Sequence, residues 1–327
     1  MNRTLAVTFD LDAAAHAVLS EALGGAAQIV GITRLDAGAR QAALQGAQVV
    51  LARNPVRDLT RDELAELGHL QLIQLMPAGV DFIPIGELPA GVPVASNAGA
   101  YSEPMAEHAL ALTLAAAKRL MVEHSAISRS EFNQHTPNRM VTDMVCGILG
   151  YGGIGRATAR LMRCIGAKVH ALNRSGRSGD ALDWIGTTAE LDQFLAAVDV
   201  LIVSAPLTRS THGLLGAREL GLMKEDAILV NLARGEIIDE AALFEHLQAH
   251  PKFTACIDAW WVEPVRHGQF RMDHAFMTLP NVIGSPHNSA SVADLGAMVL
   301  RAAALNCRRQ FLGEQVLNVV REEDRYL

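Results

Sequence analysis

Three charged side chains stand just after apolar runs in the second half of the chain: Arg234 in NLARGEIID, Glu263 in IDAWWVEP and His287 in IGSPHNSA. Each alone is unremarkable, since a lone His at a strand end is more often a satisfied structural group and a lone Arg or Glu a solvated loop residue. Together they supply what reversible hydride transfer to a carbonyl needs. A cation holds a carboxylate and polarises the carbonyl, an imidazole exchanges the proton, and a carboxylate keeps that imidazole charged. The carboxyl edge of a parallel sheet, where strands open on a ligand crevice, is the place where three such residues meet.

A glycine turn adds a second chemistry. Gly150, Gly152 and Gly155 form G-x-G-x-x-G, with Gly153 and Ile154 inside it, directly after the apolar run Val145 to Leu149. A helix follows, with Ile154, Ala157, Leu161 and Ile165 predicted on one face. The first glycine permits a tight turn, the second lets backbone approach a pyrophosphate, and the third lets helix and strand pack closely. Glycine turns also serve simple chain reversal, but strand, helix, Gly166 as a stop and a second strand in sequence point to dinucleotide binding. In an NAD site an acid roughly 20 residues further on accepts from the ribose hydroxyls. Here that place falls at Asn173, followed by Arg174, Ser175 and then Arg177. A neutral amide removes the repulsion that an extra phosphate would meet, and the arginines supply donors for it. The pattern predicts NADP in preference to NAD, with NAD possible; the alternative is a solvated turn whose arginines do nothing specific.

The elements that position these residues are those of an α/β protein. Short β-type runs alternate with helical patterns, the mark of parallel sheets joined by right-handed crossovers. TLAVTF, AQIVGI, AQVVLA, LQLIQL and VPVAS predict a small domain over about the first 98 residues. A helix beginning at YSEPMAEHAL, with Ser102 placed to cap it, reads as a joint between domains. MVCGIL, AKVHAL, DVLIVS, AILVNL, FTACIDA and NVIGS then give the six strands of a doubly wound nucleotide-binding domain. From about Ala290 a helical pattern resumes with no new strand set and is expected to pack back on the first domain.

Composition narrows the partners. With 327 residues the chain is long enough for two cores, and the net charge of -7 comes with no cationic run to track nucleic acid or anionic lipid. The apolar helical run Ala109 to Ala117 is too short to cross a bilayer, and the opening MNRTLAVTFD reads as a first strand rather than a signal peptide. Cys146, Cys164, Cys256 and Cys307 are few and widely spaced in apolar surroundings, as reduced core thiols are. A cytoplasmic protein without nucleic-acid or membrane partners is the expectation.

LMPAGVDFI, SNAGAYSEPMAEHAL, GILGYGGIG, SAPLTRSTHGLL, NLARGEIIDEAAL, IDAWWVEP and LPNVIGSPHNSA together, in order and spacing, resemble the D-isomer-specific 2-hydroxyacid dehydrogenase family over nearly the whole chain. The resemblance implies two doubly wound parallel-sheet domains. A flavodoxin-like substrate-binding domain is built from residues 1–98 plus 290–327, and a Rossmann nucleotide-binding domain, 99–289, is inserted between them. It implies that Arg234 binds the substrate carboxylate and ketone, that His287 is the acid/base and that Glu263 pairs with it. Ala78 and Gly79 would hold the substrate carboxylate through backbone, with Asn97 nearby. Asp258 would bind the nicotinamide carboxamide, and Pro206, Thr211 and Leu232 would line the cofactor. Arg53 is a further substrate contact or merely a solvated arginine. A homodimer, a small 2-keto or 2-hydroxy acid such as glyoxylate or hydroxypyruvate as substrate, and hinges near Asn97 to Tyr101 and Asn288 to Ser291 complete the implication.

Some features depart from the family pattern. Ser204 stands where many members carry His, Ser285 precedes Pro286-His287 where Thr is commoner, and the paired Trp260 and Trp261 are bulkier than usual. The tryptophans either shape the pocket or pack an interface. His108, beside Glu107, is assigned to structure. Rival readings are a formate-type enzyme, whose site lacks the Glu partner, phosphite oxidation, and a non-catalytic dinucleotide-binding sensor or co-repressor, which fold alone does not exclude.

Overall fold

The computed structural model describes residues 3–321 and 324. The chain divides into two compact units, one comprising Met1–Tyr101 with Val292–Leu327 and the other Ser102–Ser291.

In the first unit, strands β1 (Thr4–Val7), β2 (Gln28–Gly31), β3 (Val49–Ala52), β4 (Leu72–Leu75) and β5 (Val94–Ala95) form one sheet. All pair in parallel in the order β2-β1-β3-β4-β5, the flavodoxin-like arrangement. Helices α1 (Ala13–Leu23), α2 (Ala37–Gln45), α3 (Pro55–Asp58) and α4 (Arg61–Ala65) connect the first four strands. The strands are apolar on both faces because both are covered. Leu5, Val7, Val49 and Leu51 point into one core cluster, and Ala6, Val50, Ile73 and Leu75 into the other.

The second unit opens with α5 (Ser102–Ala117) and α6 (Leu120–Ser128). Its strands are β6 (Val145–Leu149), β7 (Lys168–Leu172), β8 (Trp184–Gly186), β9 (Val200–Val203), β10 (Ile228–Asn231), β11 (Thr254–Ile257) and β12 (Val282–Gly284). They too are all parallel, in the order β12-β11-β10-β9-β6-β7-β8, a Rossmann sheet whose strand order, not strand direction, reverses between β6 and β9. Helices α7 (Gly153–Cys164), α8 (Leu191–Ala197), α9 (Ala217–Leu222), α10 (Glu240–Ala249) and α11 (Pro264–His267) intervene. The four residues of β9 and of β10 are buried throughout, and these central strands read as apolar runs broken only by Asn231 at the end of β10. The last helix, α12 (Leu295–Leu312), belongs to the first unit, where Val299, Ala303, Cys307 and Phe311 join the core of β1 and β3. Its Asn306 also donates to the fully buried Gln74 on β4 at 2.7 Å.

Three local expectations need correction. Ser102 does not cap α5: its hydroxyl is buried without a hydrogen-bond partner and the residue lies within the helix. The second sheet has seven strands, not six, because β8 adds to the edge through β7. Finally, all four cysteines are free, but Cys164, at the end of α7, is exposed rather than in the core.

Candidate functional site

The glycine turn is fixed by close approach. Gly150 has φ +102°, and a Cβ there would stand 2.3 Å from the Ala205 nitrogen. At Gly155 a Cβ would meet the Gly150 carbonyl oxygen at 2.5 Å, so the strand end and α7 touch only because both lack side chains. Ser204, the departure noted above, donates its hydroxyl to that same Gly150 carbonyl at 2.9 Å. Gly152 is different: an added Cβ would meet nothing within 4 Å, and α7 begins there with no side-chain cap. Uncapped N–H groups at a helix start beside open space fit a pyrophosphate.

Beyond β7, Asn173 folds its own loop. Its Oδ1 accepts from the Ser175 N–H at 3.1 Å and the Ser175 hydroxyl at 3.2 Å, and its Nδ2 donates to the Arg177 carbonyl at 2.8 Å. The loop therefore carries Arg174 and Arg177, both exposed, on an amide-stapled turn. Asp180, which the sequence did not single out, accepts from Arg156 Nε at 2.7 Å and the Tyr151 hydroxyl at 3.1 Å. It thereby ties this loop to the glycine turn. Partial burial, followed by the Asp180 hydrogen bond and charge, pushes the Tyr151 phenol up to about 12.

The ends of β10, β11 and β12 carry the other residues. Asn231 closes β10 with its amide donating to the Arg234 carbonyl at 2.9 Å and its oxygen accepting from Ala233 N–H at 3.1 Å. The next residue, Gly235, lies so near the Trp260–Trp261 peptide that a Cβ would sit 2.5 Å from it. A largely buried ion pair, Arg266 to Glu236 at 2.7 Å, joins the same two loops. Glu263 and His287 are in contact, with Nδ1 of the imidazole 2.7 and 2.8 Å from the two carboxylate oxygens. Glu263 also accepts the Trp260 N–H at 2.7 Å. Burial pushes its carboxyl up, but the hydrogen bond and charge of His287, the Trp260 N–H and the charge of Arg234 outweigh burial and hold it below its ordinary value.

Asp258 is fully buried and binds the His287 loop at three points: the Ser285 hydroxyl at 2.6 Å, Asn288 N–H at 3.1 Å and Ser289 N–H at 3.2 Å. Held between them, His287 adopts φ +50°, a left-handed conformation that side chains rarely take. His108 on α5 reaches this network, 3.2 Å from the Ser285 hydroxyl and 3.8 Å from Asp258. Sequence reasoning set it aside; its spacing of 177 residues from Ser285 carries no signal.

The remaining candidates have local roles as well. Thr211 donates its hydroxyl to the Pro206 carbonyl at 2.7 Å, and Leu232 is buried at the end of β10. In the first unit Arg53, Ala78, Gly79 and Asn97 all follow the carboxyl ends of β3, β4 and β5. Arg53 is exposed and lies 5.1 Å over the Phe9 ring, while Ala78 and Gly79 are half-buried. Asn97 is buried, with its amide N–H groups on the carbonyls of Met76 and Val299. Trp261 is a packing residue, its indole N–H on the Ile238 carbonyl at 2.8 Å and its ring stacked on Phe276. No cluster of three potential metal ligands occurs among the described residues.

Comparison with known proteins adds independent findings. A family model described as D-isomer specific 2-hydroxyacid dehydrogenase, NAD binding domain, matches residues 110–289. D-3-phosphoglycerate dehydrogenase of Methanocaldococcus jannaschii is 28% identical over 284 residues, covering 85% of this chain and 52% of that protein. This chain thus spans about half the length of that relative. A glycerate dehydrogenase of Methylorubrum extorquens is 29% identical over 253 residues, covering 75% of this chain and 76% of that one. Among solved structures, a D-isomer specific 2-hydroxyacid dehydrogenase from Xanthobacter autotrophicus Py2 in complex with NADPH and MES is 26% identical with a TM-score of 0.79, and both chains are covered completely.

Proposed function

The chain belongs to the D-isomer specific 2-hydroxyacid dehydrogenase family, and on that premise we propose that it is a 2-keto acid reductase that uses NADPH in preference to NADH. Small 2-keto acids such as glyoxylate and hydroxypyruvate are its proposed substrates. The observation that carries this reading is the contact of His287 Nδ1 with both oxygens of Glu263. A carboxylate on Nδ1 assigns that nitrogen as the N–H donor and leaves Nε2 for the substrate.

When bound, the reduced nicotinamide supplies the hydride. His287 then gives its Nε2 proton to the forming alkoxide and takes it back in the reverse direction, while Glu263 stabilises the charged imidazole. Arg234 holds the substrate carboxylate and polarises the adjacent carbonyl. Asn97, Arg53 and the backbone at Ala78 and Gly79 are assigned to the substrate. Residues Gly150 to Gly155, Pro206, Thr211 and Leu232 are assigned to the cofactor, with Asp258 toward its carboxamide. Asn173, Arg174, Ser175 and Arg177 form the proposed 2′-phosphate site, a reading supported by the absent acid and by the amide-stapled loop.

A homodimer is part of the same proposal, supported by the exposed Leu120, Met121, Ile127, Phe132 and Met140 in the second unit. Light scattering giving the mass of one chain would remove it. No helix among the described residues is long and apolar enough to cross a membrane, and the four free thiols fit the cytoplasmic setting expected from the sequence.

The deciding experiment follows nicotinamide absorbance with NADPH and NADH in parallel against glyoxylate, hydroxypyruvate, pyruvate and a bulkier 2-keto acid. Faster loss with NADPH supports both parts of the reading. Equal Michaelis constants for the two cofactors would sink the NADP preference. Tight binding without turnover would favour a dinucleotide sensor.

A further inference from the structure

Glu263 and His287 stand on two loops, one after β11 and one after β12, and their short contact requires those loops to keep one register. Trp260 touches both loops through separate N–H groups. Its backbone N–H donates to Glu263 Oε1 at 2.7 Å, and its indole Nε1–H donates to the Ser285 carbonyl at 2.8 Å, two residues before His287. The side chain is 4% exposed. Its ring carbon Cζ2 is so close to Gly284 that a Cβ there would be 3.0 Å away, and the edge of Phe270 closes it at 5.7 Å between centroids.

We propose that Trp260 is a positioning residue: its two N–H groups, joined through a ring that packing against Gly284 and Phe270 holds in one rotamer, set the spacing between the Glu263 loop and the His287 loop. The inference rests on reading Glu263 and His287 as the proton-transfer pair. Asp258, the first residue after β11, also ties the two loops together, through Ser285, Asn288 and Ser289. Trp260 adds a tie that also grips the Glu263 carboxylate itself. A packed ring holds the half-buried Ser285 carbonyl in place, and a carbonyl that loses such a donor moves to find another.

The neighbouring tryptophan provides an internal control. Trp261 has the same bulk and the same donor, but its indole N–H goes to Ile238 and its ring centroid is 5.4 Å from that of Phe276, nearly coplanar at 9°. Two adjacent residues of one type therefore differ in whether they reach the pair.

The test compares Trp260→Phe with Trp261→Phe and His287→Ala in the full-length protein. Phenylalanine at 260 keeps an aromatic ring in place and removes the indole donor. The expected result is a kcat about tenfold lower for Trp260→Phe, the rate equivalent of one hydrogen bond. Its cofactor KM stays near wild type and its thermal midpoint falls by no more than that of Trp261→Phe, which loses the same donor yet keeps full kcat. Unchanged kcat in Trp260→Phe, or an equal loss in both variants, overturns the positioning role. If His287→Ala retains turnover, the proton-transfer reading itself fails; if it is inert while Trp260→Phe is fully active, only the role of Trp260 fails. Should Trp260→Phe not fold, hydrogen exchange of the indole N–H in the wild-type protein decides, with Trp184→Phe and Trp261→Phe assigning the signals. A slowly exchanging Trp260 indole supports the bond to Ser285, and exchange at the solvent rate overturns it.

Discussion

At Gly152 an added Cβ would meet no atom within 4 Å and the helix start carries no cap, whereas beside His287 the Glu263 and Asp258 carboxylates are buried and hydrogen-bonded from several sides. Both regions lie at the carboxyl edge of the same sheet. On the proposed function they differ because their tasks differ: a pyrophosphate brings full charge and needs donors left available, while an imidazole that exchanges a proton needs partners that do not move. One region is kept open by backbone geometry, the other is filled by side chains.

Removing the imidazole tests that division most severely. His287→Ala should lower turnover by about 10²–10⁴-fold while NADPH affinity, read by fluorescence titration, changes little. A comparable loss of affinity would mean that the two regions are one. Gly150→Ala acts on the other side. With a Cβ only 2.3 Å from the Ala205 nitrogen the backbone has to shift, at a cost of about 1–3 kcal/mol in stability together with weaker NADPH binding. Wild-type melting and affinity in that variant would show that close approach does not set the cradle.

Asn173→Asp sharpens the comparison at the rim. It takes away the donor to the Arg177 carbonyl and adds negative charge beside the proposed phosphate, so kcat/KM with NADPH should fall about tenfold relative to NADH. An unaltered ratio would leave the loop without a role in cofactor choice. The smallest effect is on stability against pH. Glu263 is held below its ordinary value, so its contribution is fully present above the usual carboxylate range and is lost as pH falls through the lowered value. Melting curves of wild type and Glu263→Gln should therefore converge in acid and separate toward neutrality, and parallel curves would contradict the shift.

The strands and the glycine turn were legible because their signals are local: continuous apolar runs for covered parallel strands, and glycines at fixed spacing. β8 escaped because Trp184–Gly186 is a three-residue edge strand, only partly buried, with too few positions to display a period. Ser102 looked like a cap by type and position, but its hydroxyl is enclosed when the helix packs. Cys164 was grouped with the core thiols on composition, while helical phase turned it outward. His108 and Trp260 acquire their contacts with Ser285 only through folding, across 177 and 25 residues, and nothing in either neighbourhood foretells it.

The left-handed backbone at His287 also makes the position a handle for capture. Asparagine tolerates φ near +50° and carries an N–H donor suited to Glu263, so His287→Asn should keep the loop closed by Asp258 while silencing proton exchange. Such a variant would hold reduced cofactor and keto acid side by side long enough to be seen together, a stalled ternary complex obtained from the resting geometry of a single residue.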